Sequence, residues 1–429
     1  MKKICTLLIA VLALFGLVAC GGDDSEGGQT SDEVVQKTKI NIWATAAEEP
    51  VIKAVIDEYN KANNVNYTYE FTAISEADAG TTLANDPTID GAPALFLCAD
   101  DHISTLASKN IVAEIKGARK EKVVESTTEV AVQGATLNDK LYGYPVTSDN
   151  GYFLWYDSSK LSADDVKTLE GILATAKSQG KSFLMDVANG WYANSFIMSP
   201  QACGVNSLSW GANADGKTVY TTTWDNAAGV KVSEYIASLL TPAYAEGTLQ
   251  IGSNDAIEAG FQEGTLIAAV SGTWMEPSLK NILGENLAAC KLPTFTIDGQ
   301  AYQMASFSGS KIYAINKTRP SEEQRVAAEI AEILTGKEAQ LKRFELRASI
   351  PCNRAAAEDP AYTQNVSIGA QALLAQNEFA CVQAKTAEAR YWDIGKAIGQ
   401  AYIDSRLGDH ANWTSFLQAQ MNTLRNPAI

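Results

Sequence analysis

The chain has 429 residues, of which 46% are hydrophobic and 20% are charged, and its formal net charge is −16. This length and hydrophobic content predict two or three domains with ordinary buried cores. The negative charge disfavours nucleic acid as a partner, because an acidic surface and phosphate groups repel each other.

The N-terminal segment has the features of a secretion signal. Lys2 and Lys3 form a basic start, and an apolar run covers residues 6–18. Because this run is too short for a membrane-spanning helix, we expect residues 1–19 to be removed as a signal peptide. The letters LVAC, which end at Cys20, are similar to a bacterial lipobox, in which that cysteine carries a diacylglycerol. An ordinary signal peptide that contains a cysteine is the alternative.

A flexible acidic tether is predicted to follow, over residues 20–38. Residues 21–33 are Gly, Ser, Thr, Gln and acidic residues only, a composition that cannot bury enough surface to fold. Acyl chains on Cys20 would anchor the tether by burying methylenes, each worth about 0.8 kcal/mol. Removal of the signal with its two lysines changes the net charge from −16 to −18. No later segment reaches about 18 apolar residues, so we expect the rest to be soluble.

The segment from residue 39 to 98 is predicted to contain a strand, a helix and two further strands. Residues 39–43 alternate polar and apolar side chains as a strand does, and Pro50 suits the first turn of a helix. Residues 66–71 and 94–98 are the next strands. This order predicts a parallel α/β unit. The apolar face of the helix would consist of Val51, Ile52, Val55, Ile56 and Tyr59.

Two helices are predicted in the middle of the chain. Ser162 and Asp165 have the spacing of a capping box, which predicts a helix through about Lys177. A second helix over 225–240 is expected to stop at Pro242, because proline cannot donate a backbone hydrogen bond.

Strands at 182–187 and 265–270 and a further helix complete the predicted elements. Ser321 is expected to cap this helix, with Gln324 at the third position of its first turn, and Gly336 to end it. The inward-facing residues would be Val326, Ile330, Ile333 and Leu334.

Residues 211–218, GANADGKT, fit the pattern of a phosphate-binding loop. Such a loop joins a buried strand to a helix, whose N-terminus points at the anion. Here residues 205–210 are a poor buried strand, and residues 219–224 are β-branched and aromatic, unlike a helix start. Asp215 and Gly216 between such runs predict a hairpin turn instead, which disfavours an ATPase.

Catalytic and metal-binding motifs are few. The two histidines, His102 and His410, lack the spacing of a zinc site, and there is no Gly-x-Ser-x-Gly elbow. We therefore expect no metal and no cofactor. Asp100 and Asp101 with Asp149 could form a glycosidase pair, although adjacent acids usually lie in a solvated loop.

The cysteines beyond Cys20 are widely spaced and predict neither a disulfide framework nor paired metal ligands. Outside the cell one bridge could form, and the sequence does not say which pair it would join. The five candidates are Cys98, Cys203, Cys290, Cys352 and Cys381.

Several stretches follow one another in an order and spacing that resemble a known family. They are KINIWATAAEEPVIKAVIDEYNK, APALFLCADDHISTLASKNIVAEI, LYGYPVTSDNGYFLWYDSSKL, GKSFLMDVANGWY, AIEAGFQEGTLIAAVSGTWMEPSLKN, LPTF and YWDIGKAIGQAY. The family is the family 1 extracellular solute-binding proteins of bacterial ABC importers, in its maltodextrin-binding branch. The similarity covers nearly all of residues 39–429.

This resemblance implies an α/β fold of two lobes, the periplasmic-binding-protein fold, with a hinge of crossing strands that closes the lobes over a ligand. It places lobe one at 39–146 plus 311–350 and lobe two at 147–310 plus 351–429. The crossing strands would lie at 142–151, 303–311 and 346–353.

Polar ligand contacts are implied where this sequence matches the family's motifs. Asp101 and His102 match an acidic and basic pair that holds sugar hydroxyls, with a surface turn as the alternative. Asp149, or Asn150 if the alignment shifts by one, matches a polar contact beside the hinge. Lys396 matches a basic contact.

Aromatic contacts are implied at Trp191, Tyr192, Trp274 and Trp392. An aromatic face can cover the apolar C–H face of a sugar, while charged or amide groups bind its hydroxyls. Core packing is the alternative for each tryptophan.

Three positions depart from the maltodextrin pattern. Glu48, also expected at the ligand, stands where that branch has a basic residue, Cys98 replaces a stacking aromatic, and Gly190 replaces an acid. The resemblance therefore implies the architecture but does not identify the sugar.

The resulting hypothesis is a lipid-anchored, extracytoplasmic receptor that captures a sugar, most simply an oligosaccharide, and delivers it to ABC importer membrane subunits. It would be a monomer and not an enzyme. The alternatives are a lipid-anchored glycosidase that uses Asp101 and Asp149, and a receptor for a solute other than a sugar.

Overall fold

The computed structural model describes residues 34–198, 205, 210–212, 218–382, 389–404 and 407–426. The signal peptide, Cys20, most of the tether and Cys203 lie outside the described residues.

The first lobe is built on a five-stranded sheet. Its spatial order is Tyr69–Ala73, Ile40–Ala44, Leu95–Ala99, Lys311–Ile315 and Tyr144–Thr147. Ile40–Ala44 runs parallel to both neighbours, as the strand, helix and strand order predicted. Lys311–Ile315 comes from much later in the chain and runs antiparallel between its neighbours. Its five residues are all buried, as in a sheet covered on both faces.

Helices cover this sheet. They are Glu49–Asn63, Glu76–Asn85, Ile103–Ser108, Gly117–Ser126, Glu129–Gly134, Ser321–Leu334 and Lys337–Arg347. The first of them has Pro50 in its first turn and is capped at its C-terminal end by Asn64, which has a left-handed φ of 50°. Its predicted apolar face is buried, except that Tyr59 at its C-terminal end is exposed.

A second five-stranded sheet forms the second lobe. Its order is Leu249–Gln250, Ser182–Leu184, Leu266–Ser271, Phe153–Asp157 and Leu287–Cys290. The first three strands are parallel, and Phe153–Asp157 is antiparallel to both of its neighbours. The helices of this lobe are Leu169–Ser178, Gly190–Ala193, Ala227–Ala245, Asn254–Gln262, Glu276–Leu283, Arg354–Ala357, Pro360–Thr363, Ile368–Asn377, Ala389–Ile403 and His410–Arg425.

Short elements connect these parts. Two-stranded pairs join Val35–Gln36 with Val65–Asn66, Thr136–Leu137 with Lys140–Leu141, Thr294–Ile297 with Gln300–Gln303, and Ser306–Ser308 with Ala380–Val382. Single 3₁₀ turns occur at Ala46–Glu48, Asp100–His102, Asp165–Lys167, Thr273–Met275 and Gly284–Asn286.

Three segments that cross between the lobes lie side by side. The Ser148 N–H donates to the Ile350 carbonyl at 3.3 Å, and the Asn150 N–H donates to the Gly309 carbonyl at 3.3 Å. Three neighbouring backbone connections allow one lobe to rotate against the other. The fold is thus a two-lobed α/β structure with a hinge of crossing strands, and the lobe boundaries given above stay a prediction.

Two of the predicted helix starts are wrong. Ser162 and Asp165 do bond reciprocally, with Asp165 N–H to Ser162 Oγ at 3.2 Å, but only the turn Asp165–Lys167 follows them. The helix starts at Leu169, where Thr168 Oγ1 accepts from Gly171 N–H at 3.0 Å.

Ser321 is likewise the first residue of its helix and not its cap. Pro320 occupies the cap position, and the Gln324 side chain donates back to the Arg319 carbonyl at 2.7 Å. The helix itself is confirmed, and it ends at Leu334, with Gly336 preceding the next helix.

Pro242 does not stop its helix, which runs over Ala227–Ala245. The proline lies close to the C-terminal end, and its carbonyl accepts from the Glu246 N–H at 3.0 Å. One missing donor there is tolerated because the last turn is still closed by other backbone groups.

The region of the phosphate-loop pattern forms two antiparallel strands. Trp210–Ala212 pairs with Thr218–Tyr220, and the next helix begins only at Ala227. The predicted turn, including Asp215, Gly216 and Lys217, lies outside the described residues. The two strands on either side of this turn pair with each other, as in a hairpin. A phosphate loop would instead be followed directly by a helix.

In the ranges that the structure covers, no helix combines the length and apolar character needed to cross a bilayer. In the same ranges, no group of three or more His, Cys, Asp and Glu side chains could hold a metal ion.

Candidate functional site

A cavity of about 540 Å³ lies between the lobes. The first lobe lines it with Thr45, Ala47, Glu76, Ala77, Ala99, Asp101, His102, Lys311 and Arg347. The second lobe and the first crossing segment contribute Asn150, Asn189, Trp191, Asn254, Trp274 and Trp392.

Strand ends explain where this lining comes from. Thr45 follows the strand Ile40–Ala44, and Trp274 lies three residues beyond the end of Leu266–Ser271. Ligands of open α/β sheets collect at the carboxyl ends of the strands. In this fold the carboxyl ends of parallel strands from both sheets face the same cleft, and the antiparallel strand Lys311–Ile315 brings its first residue there.

The structure brings six of the ten predicted ligand contacts together in the cavity lining. They are Asp101, His102, Asn150, Trp191, Trp274 and Trp392. Glu48, Asp149, Tyr192 and Lys396 do not line it.

The indole rings of Trp191 and Trp274 form an aromatic wall. Their centroids are 6.1 Å apart and their planes differ by 28°. Tyr152 supports Trp191 edge-on, at 4.8 Å and 70°, and Trp274 Nε1 donates to Asn254 Oδ1 at 3.4 Å. Both indoles are half-buried, so each is held in place while part of its surface faces the cavity.

Two glycines allow this arrangement. A Cβ atom on Gly272 would lie 2.1 Å from the ring of Trp274, and one on Gly190 would lie 2.2 Å from the carbonyl oxygen of Trp392. The contact at Gly190 packs the turn that carries Trp191 against the helix that carries Trp392. The departure at Gly190 therefore has a steric reason, since no side chain fits there.

Polar groups line the opposite side of the cavity. Asp101 and His102 lie in the 3₁₀ turn Asp100–His102, directly after the strand Leu95–Ala99. The turn is anchored by buried Asp100, whose Oδ2 accepts from the Ser310 N–H at 3.1 Å. The His102 ring packs on Gly80, where a Cβ would lie 2.4 Å from it.

Lys311 extends from the first lobe to the second across the cleft. Its Nζ lies 3.7 Å from Glu76 Oε1 and 5.4 Å from the centroid of the Trp274 ring. An ammonium within about 6 Å of an indole face is attracted by the ring quadrupole. This contact joins the charged wall to the aromatic wall.

Glu48 lies behind the cleft, so the prediction of a direct ligand contact is not supported by its position. Its side chain is 1% exposed and forms ion pairs with Arg343 and Arg347. Burial raises the pKa of Glu48, but the charges and hydrogen bonds of the two arginines outweigh it and lower that pKa to about 2. Arg347, which the sequence did not indicate, lines the cavity in its place.

The other three residues also lie outside the lining, for separate reasons. Asp149 is buried and accepts from the Ile350 N–H at 3.4 Å, whereas Asn150, its alternative, faces the cavity. Tyr192 packs 4.9 Å from Tyr152, and burial raises its pKa. Lys396 is exposed one helical turn beyond Trp392.

Cys98 departs from the family's stacking aromatic and is fully buried in its strand. Burial, with smaller effects from nearby carboxylates, raises the pKa of its thiol well above the usual value. Cys98, Cys290 and Cys352 are free thiols, and none of them lines the cavity.

Among the described residues, nine that line the cavity were not predicted from the sequence. Thr45 follows a predicted strand and could have been found from that position. Lys311 and Arg347 lie in two of the predicted crossing strands, 303–311 and 346–353, but neither was expected at the ligand, because only the tertiary fold shows which side chains of those strands face the cleft. The other six are Ala47, Glu76, Ala77, Ala99, Asn189 and Asn254.

Comparison with known proteins agrees with this architecture. The galactooligosaccharide-binding protein of Bacillus subtilis is 24% identical over 388 residues, which cover 88% of this chain and 86% of that protein. A maltooligosaccharide ABC transporter solute-binding lipoprotein of Streptococcus pneumoniae is 25% identical over 368 residues, 82% of this chain and 81% of that protein.

Solved structures show the same fold. A structure with acarbose has a TM-score of 0.77 at 26% identity, and the maltodextrin-binding protein from L. casei BL23 has 0.73 at 22%. Each comparison covers 91% of this chain and 99% of the other. The family model described as "Bacterial extracellular solute-binding protein" matches residues 54–370. Since that match spans well over half of the chain, the protein belongs to the bacterial extracellular solute-binding proteins.

Proposed function

We propose that this protein captures an oligosaccharide between its lobes and delivers it to an ABC importer. The observation that carries the proposal is an aromatic wall, Trp191 with Trp274, that faces a wall of charged and polar groups across one cavity. A sugar has an apolar C–H face and a rim of hydroxyls, so it matches both walls at once.

The size of the cavity supports a small-molecule ligand. About 540 Å³ lies within the range of roughly 300–1,000 Å³ that small-molecule sites occupy. The names of the two curated relatives refer to galactooligosaccharides and maltooligosaccharides, which supports an oligosaccharide and leaves the sugar itself to experiment.

The proposed direct contacts are the predicted residues that line the cavity. Trp191, Trp274 and Trp392 would stack on sugar rings, and Asp101, His102 and Asn150 would bind hydroxyls. Tyr192 and Asp149 would act from behind, because Tyr192 packs 5.1 Å from Trp191 and Asp149 Oδ2 accepts from Thr273 Oγ1 at 3.5 Å. Lys396 lies at the margin and would contact only a ligand that extends past Trp392.

Binding by closure is supported by the hinge. The first crossing segment hydrogen-bonds to each of the other two, and Lys311 of the first lobe already contacts Trp274 of the second. A ligand that touches both walls would favour the closed form, because it gains contacts there that the open form cannot make.

The proposal also includes a cellular location and protein partners. Cys20 would carry the lipid that anchors the protein to the outer side of a bacterial membrane, as one relative's name, a solute-binding lipoprotein, suggests. The partners would be the membrane subunits of an ABC importer, and the protein would act as a monomer without a cofactor.

The glycosidase alternative loses support from the position of Asp149. A glycosidase needs two carboxyl groups that face the same bond, yet of the predicted pair only Asp101 lines the cavity, and the other carboxylate of the lining, Glu76, lies 3.7 Å from Lys311 Nζ. The relatives are solute-binding proteins as well. We therefore propose binding without chemistry.

Calorimetric titration tests the proposal. The panel contains maltooligosaccharides and galactooligosaccharides of increasing length, with peptides, polyamines and metal ions as non-sugar probes. We expect saturable binding of at least one sugar series and unchanged sugar on chromatography after long incubation. Binding of a non-sugar probe alone would replace the sugar with another solute, and steady release of shorter sugars would favour the glycosidase.

A further inference from the structure

We propose that Arg347 contacts the ligand directly, and that Glu48 is a positioning residue that holds the Arg347 guanidinium at the wall of the cleft. This inference rests on the proposed function and names a binding residue of the same site.

The first observation is where Arg347 lies. It is the last residue of the helix Lys337–Arg347, and Ala348 follows with a left-handed φ of 54°. Arg347 thus lies at the start of the third crossing segment, 346–353. The guanidinium of Arg347 lines the cavity and donates from Nη1 to Glu48 Oε1, so it lies where the two lobes and the hinge meet.

The second observation is the number of donors that remain. Arginine has five N–H donors in a planar fork. Among the described residues, Arg347 uses Nη1 for Glu48 and makes no second hydrogen bond. Its other donors are available to the cleft, and a planar fork can bind two neighbouring hydroxyl oxygens at once.

Arg343 cannot take this role, because each of its three nitrogens already bonds to a protein acceptor and its side chain is buried. Its Nε lies 3.1 Å from both carboxylate oxygens of Glu48, Nη2 donates to Glu48 Oε2 at 3.0 Å, and Nη1 donates to the Leu334 carbonyl at 3.3 Å. It is 1% exposed, whereas the Arg347 side chain is 13% exposed. Arg343 fixes Glu48, and Glu48 in turn fixes Arg347.

The charges of the cluster point the same way. One carboxylate between two guanidiniums leaves a surplus positive charge in a poorly solvated place, which is unfavourable unless an acceptor from outside compensates it. Arg347 is the member of this cluster that reaches the cavity. A ligand oxygen at Arg347 would supply that acceptor.

The test compares Arg347→Met and Arg347→Lys with the unchanged protein, using maltotriose and a galactotriose as probes. We expect Arg347→Met to weaken binding about tenfold to hundredfold, the range for a hydrogen bond to a charged group. Arg347→Lys should recover only part of the loss, because lysine lacks the fork. The matched control is Arg325→Met, since Arg325, like Arg347, is an arginine with an ion pair to glutamate, here Glu322 and Glu329, but does not line the cavity.

The positioning role is tested by a double-mutant cycle. Glu48→Gln should weaken binding in the unchanged protein and have no further effect on affinity when Arg347→Met is present. An equal effect in both backgrounds would overturn the positioning role, because a merely structural loss would act with or without Arg347. If Glu48→Gln does not fold, Glu48→Asp takes its place in the same cycle.

The two hypotheses fail in different ways. If the unchanged protein binds neither trisaccharide nor any other sugar of the panel, the proposed function is wrong and this inference with it. If the unchanged protein binds a sugar and Arg347→Met binds it equally well, only the role of Arg347 is wrong.

Discussion

Replacing Trp274 with alanine separates a binding role of this residue from a structural one. Its indole is half-buried, stacks at 6.1 Å on Trp191, and bonds through Nε1 to Asn254 at 3.4 Å. One part of the ring therefore supports the lobe, and the part that faces the cavity is available to a sugar.

The expected loss of affinity follows from the removal of one stacked ring. By analogy with base–aromatic stacking, such a ring contributes roughly 1–3 kcal/mol, which corresponds to about tenfold to hundredfold weaker binding. The ring is held by Trp191 and by the small residue Gly272, so it loses little freedom when a ligand binds.

If Trp274 has a binding role, its replacement should lower the free energy of unfolding by less than the loss of a fully buried tryptophan would. A half-buried indole with one long hydrogen bond contributes about 1–2 kcal/mol to folding. A fully buried tryptophan replaced by alanine would cost about 3–5 kcal/mol, because it leaves a cavity. The two roles of Trp274 thus predict different melting temperatures for the ligand-free protein.

The assay combines calorimetry with a sugar that the protein binds and thermal melts without ligand. Trp413→Phe is the matched control, because Trp413 also stacks on an aromatic ring, Tyr402 at 5.8 Å, but is buried away from the cavity. We expect this control to have a lower melting temperature than the unchanged protein and the same affinity for the sugar. The stacking role would be refuted if Trp274→Ala has a much lower melting temperature without ligand, while the molecules that remain folded bind the sugar with normal affinity.

Three further predictions concern other parts of the chain. Lys217→Ala should leave sugar affinity unchanged, and the unchanged protein should not bind ATP in a filter assay. If the unchanged protein binds nucleotide and the mutant does not, residues 211–218 are a phosphate-binding loop after all. Cys20→Ser should release the protein from the membrane fraction or leave an uncleaved precursor, and a processed, membrane-bound mutant would require another anchor. Glu48 has a folded pKa of about 2 against an ordinary 4.5, so its stabilisation should be complete above pH 4.5 and lost as the pH falls towards 2. As the pH is lowered, the free energy of unfolding of the unchanged protein should fall by roughly 3 kcal/mol more than that of Glu48→Gln. If the free energies of the two proteins fall in parallel with pH, the prediction is wrong.

Much of the fold could be predicted because the local patterns agree with the tertiary structure. The helix Glu49–Asn63 has proline in its first turn and an apolar face, and both features serve its packing on the sheet. The errors occurred where a local signal was outweighed. Ser162 and Asp165 make the two reciprocal hydrogen bonds of a capping box, yet the chain needs one more turn before Thr168 can start the helix.

The site was predictable only in part, for the same reason. Trp274 follows a strand end and could also be placed from that position, because the carboxyl ends of strands have a known role in α/β sheets, whereas Asp101 was indicated by resemblance. Trp191 and Trp392 were indicated by resemblance alone, and a backbone contact at Gly190 brings them to one wall. No periodicity in the sequence encodes that contact.

Glu48 shows why a single position cannot be interpreted by itself. It was expected at the ligand because it stands at a family contact position, but its partners Arg343 and Arg347 lie 295 and 299 residues later in the chain. Both oxygens of the Glu48 carboxylate already accept hydrogen bonds from these two arginines, so Glu48 is satisfied without a sugar. The positive charge then reaches the cleft through Arg347. A comparison of residue 48 alone with the family's basic residue would report a reversal of charge. In the folded protein, however, the cavity is lined by the positive charge of Arg347.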